Sequence, residues 1–106
     1  MEAQMQDKQR ARRVPYIREV ECYGVGLTTI SPRITDLSIT GAFIDTLTEL
    51  PVGSTMTLKF SIPAADIEVN AQVSYAMPGI GMGVRFINLT PEQQTALEQF
   101  IQERPS

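Results

Sequence analysis

Asp36, Ser38 and Gly41, within Arg33-Ile-Thr-Asp-Leu-Ser-Ile-Thr-Gly41, have the types and spacing to recognise one polar edge of a ligand. If residues 33–38 are extended, Asp36 and Ser38 project from one face with Ile34, while Thr35 and Leu37 point the other way. A carboxylate accepts two N–H groups, and a hydroxyl both donates and accepts. Gly41 then permits a backbone turn that a side chain would resist. The same string also describes an Asx-type or Ser turn closed before Gly41, and taken alone that is its better reading.

A second chemical group lies about twenty residues upstream. Residues 1–18 hold Lys8, Arg10, Arg12, Arg13 and Arg18 against Glu2 and Asp7, a net +3, whereas residues 19–106 carry −6. Guanidinium groups bind phosphate through paired, planar hydrogen bonds, so this arm suits an anion. On charge alone, a solvated tail or one packed on its own acidic body is the simpler reading. The acidic body argues against tracking a nucleic acid polymer, which requires an extended basic face.

The composition narrows the chemistry further. Histidine is absent and Cys22 is the single cysteine, so His-dependent triads, common zinc sites and internal disulfides are excluded. No cofactor or metal is expected, and the chain reads as a non-enzyme. The first ten residues are polar and no apolar run approaches the roughly 20 residues a bilayer requires. A cytoplasmic protein without membrane association is the expectation.

The elements that must position these groups follow from periodicity. Met56, Leu58, Phe60 and Ile62 alternate with polar residues over 55–62, and Ile67, Val69, Ala71, Val73 and Tyr75 do so over 66–75. Both segments read as antiparallel strands wetted on one side and joined through Pro63-Ala-Ala. Leu50-Pro-Val-Gly53 and Met77-Pro-Gly79 carry turn chemistry. Met82, Val84 and Phe86 mark another strand, with weaker candidates at 16–23, 33–38 and 42–45. Thr90-Pro-Glu-Gln93 is a capping box, and Leu97, Phe100 and Ile101 fall on one helical stripe over about 91–103. About six short antiparallel strands and a terminal helix describe an all-β small barrel or sandwich. Residues 1–7 read as a flexible tail and 8–103 as a single domain.

This combination resembles the PilZ domain family, receptors for the bacterial second messenger cyclic di-GMP. The downstream (Asp/Asn)-x-Ser-x-x-Gly motif is intact as Asp36, Ser38 and Gly41. The resemblance implies a six-stranded barrel with a C-terminal helix. It also implies an arginine loop that folds over the ligand while the Asp and Ser side meets a guanine edge. Family members that bind the nucleotide carry Arg-x-x-x-Arg, and no two arginines here are four apart. Anchored on Val14-Pro15, Arg13 matches the second arginine and Gln9 stands for the first. One residue earlier, Lys8 and Arg12 have the right spacing. Arg10, Arg12 and Arg13 are carried over as ligand-binding residues beside Asp36, Ser38 and Gly41.

The ligand's chemistry agrees with these groups. Guanine offers N1–H and N2–H donors to a carboxylate, and O6 and N7 acceptors to arginine. Two function classes follow. One is a cyclic di-GMP receptor and adaptor whose arm closes over the nucleotide and alters a surface read by a protein effector. The other is a degenerate PilZ protein that binds a partner, as in motility or pilus assembly, without nucleotide. Single-stranded nucleic-acid binding ranks below both, because Phe60, Tyr75, Phe86 and Phe100 belong to core-facing patterns.

Overall fold

A computed structural model describes residues 13–24, 32–46 and 50–104. In chain order the elements are β1 (Val14–Glu19), β2 (Glu21–Gly24), β3 (Arg33–Leu37), β4 (Gly41–Asp45), β5 (Thr55–Ile62), β6 (Ala65–Met77), β7 (Gly81–Ile87) and α1 (Pro91–Gln102). The two cleanest alternating segments form the longest pairing. β5 and β6 run antiparallel in unbroken register from Thr55↔Gln72 to Ile62↔Ala65. Met56, Leu58, Phe60 and Ile62 are buried on one strand, and Ile67, Val69, Ala71 and Val73 on the other. Their polar partners face outward, as period-two patterning requires.

The sheet order is β1-β3-β4-β7-β6-β5-β2, all antiparallel. The 16–23 stretch, expected as one strand, is two. β1 and β2 lie at opposite edges of the sheet and are separated only by Val20, whose N–H donates to the Pro32 carbonyl at 3.1 Å. One bent segment therefore supplies both edges, which forces the sheet to curl into a half-barrel. This split accounts for seven strands where six were expected. The Tyr16 hydroxyl ties the same closure by donating to the Ser61 carbonyl of β5.

Three register shifts add curvature. Each places an extra residue on one strand, and those in β3 and β6 reverse which side chains face the core. One lies in β1 between Pro15 and Arg18, one in β3 between Ile34 and Asp36, and one in β6 between Val73 and Tyr75. In β3 the bulge puts both Ile34 and Leu37 in the core, fully buried. The expectation that these two residues point apart is thus corrected. In β6 the bulge turns Tyr75 outward, 44% exposed, where alternation had placed it inside.

α1 follows its sequence signals. The Thr90 hydroxyl accepts from the Gln93 amide at 3.1 Å, and the Gln93 side chain accepts from the Thr90 amide at 3.1 Å. Pro91 occupies the first turn. The Gln93 side chain also donates to the Glu68 carbonyl of β6 at 2.9 Å, fixing the helix start on the sheet. Leu97, Phe100 and Ile101 are buried. Phe100 meets Tyr16 edge-on at 5.3 Å between ring centroids, so the helix covers an aromatic cluster that includes Phe60 and Phe86. No helix among the described residues is long and apolar enough to cross a membrane.

Candidate functional site

The motif lies where β3 turns into β4. The Ser38 amide donates to the Gly41 carbonyl at 2.9 Å. The Ser38 hydroxyl accepts from the amides of Thr40 and Gly41, both at 3.1 Å, and lies 3.2 Å from the Gly41 carbonyl. At 1% exposure the hydroxyl is spent inside the turn. This is a Ser turn held by its own side chain. Of the two motif residues expected to face a ligand, Ser38 sets the backbone and Asp36 faces out.

Asp36 reaches the surface because the β3 bulge falls just before it. Val14 pairs with Leu37 and Pro15 with Asp36, so the start of β1 lies alongside the motif. The Arg13 guanidinium donates to an Asp36 carboxylate oxygen. The two side chains are 43% and 34% exposed, so the pair is open to solvent. Two residues 23 positions apart, singled out on separate grounds, are therefore in direct contact. Arg10 and Arg12 lie outside the described residues, as do Lys8 and Gln9.

Gly41 is required for a different reason than turn geometry. Positive φ among described glycines occurs at Gly53 and Gly79, in the two Pro-Gly turns, and not at Gly41. Instead β4 approaches β7 so closely that a Cβ on Gly41 would stand 2.1 Å from the Val84 carbonyl oxygen. Arg33 pairs with Asp45 at 3.6 Å toward the far end of the β3–β4 ladder, away from the Ser38 turn. Arg85 faces solvent as its alternation predicts, and its guanidinium donates to Gln72 at 2.7 Å.

The outer face beside Asp36 is aromatic. Asp36 pairs with Phe43, Phe43 with Gly83, and Gly83 with Tyr75, one row across β3, β4, β7 and β6. The Phe43 and Tyr75 rings lie 6.1 Å apart between centroids and 34° from parallel. Neither outward ring was legible in the sequence: Phe43 sits in a weak strand, and Tyr75 reads as core until the bulge is known.

A concavity of about 970 Å³ lies elsewhere, at the Val20 corner, lined by residues including Arg18, Cys22, Tyr23 and Lys59. It does not include Asp36, Ser38 or Arg13, so it is separate from the motif. Burial raises the Cys22 thiol to about 11, which keeps it protonated and unreactive near neutral pH. Burial likewise raises the Tyr16 phenol, against the opposing effect of Arg18 and Arg104. Among the described residues no cluster of His, Cys, Asp or Glu could hold a metal ion.

Comparison with protein families matches residues 7–103 to the model described as the PilZ domain. No curated protein matches the sequence.

Proposed function

The chain belongs to the PilZ domain family, and from that premise we propose that it is a cytoplasmic bacterial receptor for cyclic di-GMP acting as an adaptor for a protein effector. The observation that carries this reading is the Arg13–Asp36 contact. Its two halves are complementary to the two kinds of group the nucleotide presents: a carboxylate for guanine N1–H and N2–H, and a guanidinium for phosphate. An exposed ion pair of this kind is worth roughly 0.2–1 kcal/mol, so a ligand that satisfies both partners can part it at small cost. Ser38 and Gly41 support recognition by holding the turn that sets Asp36 at the surface. Arg12 and Arg10, next along the chain from Arg13, supply further charge for the two phosphates. The reading is of a binding domain, with no catalytic residues.

Calorimetric titration of the full chain with cyclic di-GMP near physiological salt tests this directly. The expected dissociation constant is micromolar or tighter, since each tenfold requires only about 1.4 kcal/mol and several charge-assisted contacts are on offer. Heats indistinguishable from dilution at high protein concentration would overturn it. They would favour the second reading, a PilZ protein that engages a partner without nucleotide, which the missing Arg-x-x-x-Arg spacing already supports.

A further inference from the structure

β6 is longer than the strand beside it, and the surplus is an open edge. β6 has 13 residues and β5 has 8, and their pairing stops at Thr55↔Gln72. The turn before β5 caps one residue more. The Val73 amide donates to the Ser54 carbonyl and the Gly53 amide to the Val73 carbonyl, both at 2.9 Å. Beyond that point Tyr75, Ala76 and Met77 pair with Gly83, Met82 and Gly81 of β7 on one side. On the other side, no strand among the described residues pairs with them. The backbone N–H and C=O groups of such an edge are a template for one further strand.

The residues along this edge are of a kind that edges normally avoid. Charged side chains, lysine above all, are the usual shield against pairing with another chain. Residues 69–84 contain no Asp, Glu, Lys or Arg, the longest uncharged run in the sequence, and residues 50–58 are uncharged as well. Apolar side chains stand out instead: Val52 is 63% exposed, Ile80 53% and Met77 42%. They belong to the turn before β5 and the turn after β6, at the end of the sheet opposite the Ser38 turn.

Charge also decides what can approach. Residues 19–106 carry a net −6, so two copies of this chain repel one another over most of their surfaces. At this end no like charges meet. A two-fold axis through the edge sets each uncharged segment against itself, and antiparallel pairing there continues a sheet that is antiparallel throughout.

We propose that the open edge of β6, from Ser74 to Met77, docks a second copy of this chain, joining the two sheets into one. Val52, Met77 and Ile80 of each copy flank the paired strands. The contact is small, so the dimer is weak, with a dissociation constant of roughly 1–100 micromolar. It requires no nucleotide and stands apart from the receptor reading.

Sedimentation velocity of the full chain without nucleotide, over about 1–300 micromolar, should show the average mass rising toward twice that of one chain. Met77→Lys and Ile80→Lys place like charges beside one another across the two-fold axis, and each should weaken self-association at least about tenfold. Both side chains are exposed, so neither variant should melt far from the unaltered chain. Ile17→Lys changes an equally exposed apolar residue on β1, 62% exposed, and should leave self-association as it is. Hydrogen exchange at the two ends of the concentration range should show added protection within residues 74–77 at the higher one. A chain that stays monomeric throughout would overturn the proposal and leave the edge to a strand of an effector. Self-association that survives both β6-end lysine variants, that is lost in Ile17→Lys, or that adds no protection at residues 74–77 would overturn it equally.

Discussion

Removing the Ser38 hydroxyl leaves the amides of Thr40 and Gly41 without their acceptor, beside a Ser38 side chain from which water is excluded. An unsatisfied buried donor costs about 1–3 kcal/mol, so Ser38→Ala should melt roughly 5–20 °C lower in a domain of this size. Asp36 behaves differently. Its carboxylate is a third exposed and its partner Arg13 more so, so Asp36→Asn should change stability by less than about 1 kcal/mol. The same substitution removes the charge that the proposed receptor would offer to guanine N–H groups, and on that proposal it should weaken nucleotide binding at least about tenfold. Thermal melts followed by circular dichroism, paired with titrations, separate the two roles. Ser38→Ala melting with the unaltered chain would show that the turn does not depend on the hydroxyl, and the division between positioning and recognition would fail. The motif string in the sequence is compatible with either role for each residue. Only the burial of Ser38 and the bulge before Asp36 assign them.

Among the elements, β7 is where close backbone approach matters most, and it offers a controlled comparison. A Cβ on Gly41 meets the Val84 carbonyl oxygen at 2.1 Å, a backbone atom within a paired ladder that cannot step aside. A Cβ on Gly83 meets the far end of the Tyr75 ring at 2.2 Å, and that half-exposed side chain can swing outward. Gly41→Ala should therefore destabilise by about 2–3 kcal/mol, as overpacking does, whereas Gly83→Ala should cost less than about 1 kcal/mol. Denaturant midpoints at constant m-value report the difference. Equal midpoints would mean that β4 and β7 can separate locally without penalty. These elements also mark what the sequence makes readable. β5, most of β6, β7 and α1 follow from alternation, helical spacing and a capping box, because each signal is local and repeats several times. The division at Val20 and the three bulges leave no comparable trace. A bulge is one extra residue whose type is unconstrained, and a strand that leaves one sheet edge for the other keeps its extended character throughout. The outward turn of Tyr75 and the joint burial of Ile34 and Leu37 are consequences of those bulges. So is the place of Tyr75 in the row beside Asp36, since periodicity alone assigns Tyr75 to the core.

At the scale of the whole molecule, charge and topology bring the basic start of the chain to the Asp36 motif, where the proposed ligand would act. The basic residues of the first 18 positions lead into β1, the strand that lies beside the Asp36 motif, while the remainder of the chain is acidic. Before Val14 the sequence has high charge density and no apolar periodicity. Fixing backbone costs roughly 1–2 kcal/mol per residue, and that segment brings no apolar stripe of its own to offset it. Phosphate pairing and base contacts by Arg10, Arg12 and Arg13 can offset the cost once nucleotide is bound. The amides of residues 8–13 should therefore gain marked protection from hydrogen exchange on addition of cyclic di-GMP. β5, β6 and β7 should change little, because their ladders are anchored by the buried row from Met56 to Phe86. Exchange measured with and without nucleotide reports both regions in one experiment. Binding without added protection at residues 8–13 would remove the arginine arm as the clamp. The phosphates would then have to be met by cations on the sheet itself, such as Arg33 on β3 or Arg85 on β7.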